Sequence, residues 1–189
     1  MSGVKGTAIE SVVVDVNRLV EEGRLSREAL EARLEAADVA LLEQKIVPAL
    51  WYPIGTYGRL VEILFDVEGG RDTEYLVERG RRAADRIRAT GLYSQLSADR
   101  TGWGDRIGKI LVSIGPAMFK DTIWHFDVVS SGPLRWRIEM RVQPEFPDLC
   151  RHSTQGFIDF LTQIYAEGTI RVSSERSSPT LITFRGDPL

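Results

Sequence analysis

The stretch LRWRIEMRV, residues 134–142, alternates apolar Leu134, Trp136, Ile138, Met140 and Val142 with charged Arg135, Arg137, Glu139 and Arg141. Successive side chains on a strand point to opposite faces, so this pattern suits a strand with one face in a core and the other in water. A helix would scatter the same residues around its circumference. Nucleic-acid grooves interleave aromatics with their arginines on one face. Here Trp136 lies in the opposite row from the arginines, so no nucleic-acid partner is expected. Arginines spaced two apart need counter-charge, and Glu139 stands among them. The question left open is whether the charged row meets solvent or a second subunit.

Neighbouring segments extend the strand into a sheet. TIWHFDVV (122–129) is rich in β-branched and aromatic residues, and SSGP (130–133) separates it from the second strand, so 122–142 reads as an antiparallel hairpin. TIRVSSE (169–175) and TLITFR (180–185) form a second hairpin around the turn RSSP. Between the hairpins, residues 148–168 carry Leu149, Phe157, Phe160, Leu161 and Ile164 at helical spacing and end on Gly168. The order after Lys120 is β-β-α-β-β.

Before Lys120 the apolar period is that of helices. Ile9, Val12, Val13, Val16, Leu19 and Val20 mark a helix over about 7–22 that Gly23 stops. Ser26 is placed to cap a short helix with a helical continuation. Pro53 suits the first turn of a helix whose buried face is Tyr57, Leu60, Val61, Leu64 and Phe65, and Gly69–Gly70 ends it. Asp72 caps the next helix, where Gly80, Ala83 and Ala84 would let another helix approach closely. A further helix is expected over about 103–119, with Ile107, Ile110, Leu111, Ile114 and Met118. Helices segregated from an antiparallel sheet make an α+β fold. The expectation is one domain over 1–189, an N-terminal helical layer (1–120) packed on a four-stranded antiparallel sheet (121–189).

The chemistry expected of this chain is defined mostly by exclusion. A single cysteine, Cys150, rules out an internal disulfide and a cysteine-rich metal site. No apolar run approaches the ~20 residues of a membrane helix, and the first residues lack a signal peptide's apolar core. A cytoplasmic protein is expected. The two histidines, His125 and His152, do not make a metal site between them, so no metal and no cofactor is expected. His125 and Asp127 share a strand face, and His125 reads as a structural histidine. Cys150 and His152, two apart at the start of a helix, diverge and do not pair. Neither a nucleophile elbow nor a phosphate-binding glycine loop is present, and the glycines of TGWGDRIG follow no strand. The arginines of RGRRAADRIR (79–88) read as a solvated helix face, with an anion patch as the alternative.

The aromatics divide between two readings. In LWYPIGTYG, Trp51 and Tyr52 either staple a helix to the core or line an apolar pocket between helices and sheet. Trp124 and Trp136, on neighbouring strands of a hairpin, suit a cross-strand pair that would wall the same pocket. With Tyr57 and Phe157 these four make the candidate ligand-binding set.

Over the β-β-α-β-β segment, LCRHSTQGFIDFLTQIYAEGTIRVSSERSSPTLITFR resembles the C-terminal half of the V4R (4-vinyl reductase) domain, whose helix carries a Gly–aromatic pair, here Gly156–Phe157. The wider group includes the haem-nitric-oxide-binding (H-NOX) fold and the Bet3 subunits of a vesicle-tethering complex. Over nearly the whole chain, VKGTAIES, LWYP and YLVERGRRAADR resemble a myxobacterial paralogous family of unknown function. The departures are informative. V4R domains commonly carry cysteines in the last hairpin, where this chain has Ser173, Ser174, Ser177 and Ser178. The H-NOX resemblance implies haem held by a helix histidine and a Tyr-Ser-Arg signature, yet no histidine precedes residue 120. The Bet3 resemblance implies an acyl chain held through a cysteine, and Cys150 does not match that position. What the resemblance implies is a scaffold with room for an apolar ligand between helices and sheet. The function expected is a non-enzymatic sensory or small apolar ligand-binding module of bacterial signalling; the alternative is a homodimeric interaction module with no ligand.

Overall fold

Two hairpins and the helix between them build the four-stranded sheet that the alternation predicts. The computed structural model describes residues 2–89, 103–166 and 169–189. The sheet has the order β4-β5-β7-β6, all antiparallel, from β4 (Ile123–Ser131), β5 (Leu134–Arg141), β6 (Ile170–Ser178) and β7 (Leu181–Pro188). Trp136, Ile138 and Met140 are fully buried on its inner face, where Phe184 and Ile182 of β7 join them. Each of these side chains contributes roughly 1.5–3 kcal/mol by leaving water. The opposite row faces solvent: Arg137 reaches Asp127 at 3.1 Å and Glu139 at 3.5 Å, and Arg185 reaches Glu175 at 2.6 Å. The second hairpin turns two residues later than RSSP suggests, because β6 stays paired through Ser178, opposite Leu181.

The helices are α1 (Gly6–Glu21), α2 (Arg27–Glu31), α3 (Ala36–Leu42), α4 (Ile54–Val67), α5 (Thr73–Ala89), α6 (Trp103–Met118) and α7 (Leu149–Ala166). The expected caps are in place: the Ser26 hydroxyl accepts from the Ala29 N–H at 3.1 Å, and the Asp72 carboxylate accepts from the Glu74 N–H at 2.9 Å. One buried polar knot ties α3 to α4. Asp38, with no exposed surface, accepts from the Thr56 hydroxyl at 2.6 Å and from Arg59 at 2.6 and 3.0 Å.

A second sheet escapes the sequence pattern. β1 (Gly3–Lys5) lies between β2 (Trp51–Pro53) and β3 (Phe119–Lys120), antiparallel to both. Strands of two or three residues are too short to show alternation, and only Val4 of β1 is wholly buried with a bulky side chain. Pro53 consequently closes β2 and forms the N-cap of α4, one residue before the expected first turn. The buried stripe of α7 is also shifted. Cys150, Ile158 and Leu161 are buried, whereas Ile164 is 41% exposed. Gly168 and Gly102 lie outside the described residues, as does the side chain of Ile107.

Glycines set how closely the layers approach. A Cβ on Gly156 of α7 would lie 1.8 Å from the Val77 carbonyl oxygen of α5, and one on Gly80 of α5 would lie 1.9 Å from the Ser153 carbonyl oxygen of α7. The two helices therefore cross backbone to backbone, and Arg81 of α5 fastens the crossing to Asp159 of α7 at 2.9 Å. On α6, Gly108 sits against the ring of Phe126 and Gly115 against that of Trp124. Seven residues separate these glycines, which places both on one face two turns apart, so two aromatics of β4 are received by α6.

Candidate functional site

Where α1, α5, α6 and α7 meet the inner face of β4, packing leaves a partly open cavity of about 230 Å³. Its walls are mostly apolar: Val12 from α1, Ala83 and Ile87 from α5, Leu111 and Ile114 from α6, Trp124 from β4, and Phe157 and Ile158 from α7. The α5–α7 crossing brings Gly80 and Phe157 to its lining, because helices in backbone contact leave no side chains between them to fill the space. Trp124 is fixed in its wall. Its indole N–H donates to the Thr122 hydroxyl at 2.9 Å, and its ring stacks on Phe184 at 6.1 Å with a 4° interplanar angle.

Polar groups are few and mostly occupied. The Ser153 and Thr154 hydroxyls donate to the Cys150 carbonyl at 3.0 and 2.8 Å. Tyr57 is buried in the lining; burial first, then the neighbouring Cys150, pushes its phenol far above the ordinary range, so it stays neutral. Arg79 is 13% exposed in its side chain and pairs with Asp15 at 2.5 Å. It also donates to the Tyr75 hydroxyl at 3.3 Å, and Tyr75 in turn is pushed up to about 12, chiefly by burial. Arg86 is exposed at the rim.

Of the residues singled out from the sequence, Tyr57, Trp124 and Phe157 line the cavity and the other three lie elsewhere. Trp51 sits in β2, 39% exposed, with the Lys5 ammonium 4.5 Å above its ring. Tyr52 stands beside it and accepts from the Val47 N–H at 2.8 Å through its hydroxyl. Neither ring is among the residues that line the cavity. Trp136 is fully buried, its ring filling the space over Gly186, where a Cβ would come within 2.1 Å. The tryptophans are not cross-strand partners: Trp124 opposes Met140, Trp136 opposes Val128, and Trp136 packs on Phe126 at 6.1 Å. The register separates them by two pairs of strand positions. Val12, Leu111 and Ile114 were legible only as core stripe residues; nothing in their spacing distinguishes a cavity wall from a filled core.

The histidines and the cysteine stand outside the lining. His125 is exposed on the outer sheet face and meets Asp127 at 3.0 Å. His152 is half-buried beside Arg151, and burial followed by that positive charge lowers its pKa. Cys150 is fully buried, and burial raises its thiol well above the ordinary range. Among the described residues no three histidines, cysteines or acidic residues gather to hold a metal. No helix among them is long and apolar enough to cross a membrane.

No protein-family model and no curated protein matches the sequence. Solved structures do match its fold. An H-NOX mutant from T. tengcongensis superposes over 98% of this chain and 99% of its own, with a TM-score of 0.57 at 10% identity. A Cs H-NOX carrying 4-cyano-phenylalanine covers 98% of both chains at a TM-score of 0.60 and 13% identity. An Fe(II) unliganded H-NOX mutant from K. algicida covers 98% of this chain and 96% of its own, at 0.60 and 14%. The chain has an H-NOX-like fold. Its residues do not fit the haem that the resemblance implies. Neither histidine of the sequence lines the cavity, and the lining residues able to offer a donor to iron are a neutral phenol, Tyr57, and the thioether of Met118.

Proposed function

We propose that this chain is a non-enzymatic, sensory ligand-binding module that holds a small, mostly apolar molecule in the cavity beside Trp124 and Phe157. The cavity itself carries the proposal. An apolar void of ~150 Å³ accepts benzene, whereas drug-sized sites begin near ~300 Å³; at about 230 Å³ the ligand is larger than benzene and smaller than a haem-like macrocycle. The H-NOX likeness supports a scaffold for small ligands, and the V4R and myxobacterial kinship belongs to the same proposal. Support for holding rather than transforming the ligand comes from the lining: its Ser153 and Thr154 hydroxyls are committed to the helix backbone, and no histidine is among the lining residues.

The test is thermal unfolding with a neutral apolar probe, octan-1-ol. At ten times its Kd a ligand of the native state adds about 1.4 kcal/mol, which is roughly 3–6 °C in Tm for a chain of this size. Ala83→Phe, at the half-buried margin of the cavity, fills the space and should abolish the shift. A shift that survives the filled cavity places the probe elsewhere and defeats the proposal. Native mass spectrometry of the purified protein reads a retained ligand and the number of copies in one spectrum.

A further inference from the structure

The apolar cavity does not end in open water on every side. A polar cleft of about 150 Å³ adjoins it, lined by Asp15, Arg18, Glu68, Arg79, Arg82 and Arg86. The two spaces share Arg79 and Arg86. Four arginines face two carboxylates in the cleft. Asp15 is taken by Arg79, at 2.5 Å, and Glu68 by Arg18, at 2.8 Å. Tyr75 donates to the other oxygen of Glu68 at 2.7 Å, so neither carboxylate is left over. The side chains of Arg82 and Arg86 have no ion-pair or hydrogen-bond partner among the described residues. Both stand on α5 one turn apart, and the exposed guanidinium of Arg86 sits at the seam where apolar wall gives way to cationic cleft.

Resting on the reading of the cavity as a ligand site, we infer that the ligand is an amphipathic acid, an aliphatic or aryl monocarboxylate whose tail fills the apolar cavity and whose carboxylate docks on Arg86. A ligand that fills the cavity and ends at the seam takes water away from Arg86. A guanidinium stripped of water without an acceptor is costly, and a planar carboxylate supplies two acceptor oxygens in the fork that guanidinium presents. A cationic head would meet the surplus of arginines. A neutral head would leave Arg86 partly desolvated and unmatched. Arg82 adds to the local field without lining the apolar wall.

The experiment compares octanoate with octan-1-ol, the same tail with and without charge, by calorimetry on the whole chain, with acetate as the head group alone. Octanoate should bind at least ten-fold more tightly than the alcohol, and acetate far more weakly than either. Arg86→Gln should cost octanoate about ten-fold and leave the alcohol unchanged. Because the Arg86 side chain makes no hydrogen bond or ion pair among the described residues, the unliganded variant should melt with the wild type; Arg86→Glu is a second variant with the same expected selectivity and a larger loss. Equal affinities for octanoate and octan-1-ol overturn the acid assignment while leaving the cavity reading standing. Tighter octanoate binding that ignores both Arg86 variants overturns the docking on Arg86. Failure of every probe overturns the inference together with the reading beneath it.

Discussion

Replacing Gly156 by alanine is a one-carbon change that the α5–α7 crossing cannot absorb locally. The new Cβ starts 1.8 Å from the Val77 carbonyl oxygen and 2.6 Å from its carbon, and contacts under 3.0 Å essentially never occur. Both atoms are backbone, so no side-chain rotation relieves them, and the helices must part by about 1.2 Å. A radial gap of ~1 Å forfeits a quarter to a half of a van der Waals contact. Val77, Ala84, Phe157 and Ile158 are buried or half-buried on these two helices. If four such side chains each lose a quarter of the ~1.5–3 kcal/mol that burial brings, the interface loses about 1.5–3 kcal/mol. Alanine's higher helix propensity returns up to ~1 kcal/mol, leaving a net loss of about 1–2 kcal/mol. In urea, with a slope of ~2 kcal/mol/M, the midpoint should fall by about 0.5–1 M with the slope unchanged. Gly55→Ala is the control. Its Cβ meets only Arg59 Nη1, at 3.5 Å, so there the propensity acts alone and the midpoint should hold or rise. A Gly156→Ala midpoint that matches or exceeds the wild type would refute backbone contact at this crossing. Adding Gly80→Ala should cost less than it does alone, since the first substitution has already parted the helices.

Asp38 should make the protein acid-sensitive. Burial acts to raise its pKa, but hydrogen bonds from Arg59, Thr56 and the Glu35 N–H outweigh that and hold it below the ordinary value. A depressed native pKa gives stability that is complete above the unfolded value near ~3.9 and fades as pH falls through the native one. Asp38→Asn should therefore lose about 2–3 kcal/mol at neutral pH, the scale of breaking a buried charged network softened by the partial exposure of Arg59, and should flatten the stability profile below about pH 4. Cys150 should be inert to a thiol reagent in the native protein and react at the rate of unfolding; rapid native labelling would contradict its burial. Trp51→Ala should leave octan-1-ol binding unchanged while Ala83→Phe removes it, since Trp51 lies outside the lining. Titration with haem should produce no stoichiometric histidine-ligated absorption spectrum, because neither histidine reaches the cavity.

Legibility differed by element for physical reasons. β5 was readable because its alternation has a period of two over eight residues, long enough to exclude a helix, and the other strands because β-branched and aromatic residues gather between turns. The amphipathic helices were readable for the matching reason. β1, β2 and β3 were not, since two or three residues carry no period. That Trp51 and Tyr52 fall outside the lining follows from that miss: Trp51–Pro53 is an edge strand of the small sheet. Gly80 announced a close helix approach but not its partner. That Gly156 comes to the same crossing, and Gly115 to Trp124, depends on contacts far apart in the chain.

By itself the sequence determined the α+β class, the two hairpins, the buried row of LRWRIEMRV and the absence of a haem-ligating histidine before Lys120. Each is a matter of which residues are present and at what local period. The cavity, the seam at Arg86 and the exclusion of Trp136 from the lining were decided only in three dimensions. Apolar residues that fill a core and those that wall a void have the same spacing, and the space between them depends on how closely glycines allow the helices to pack.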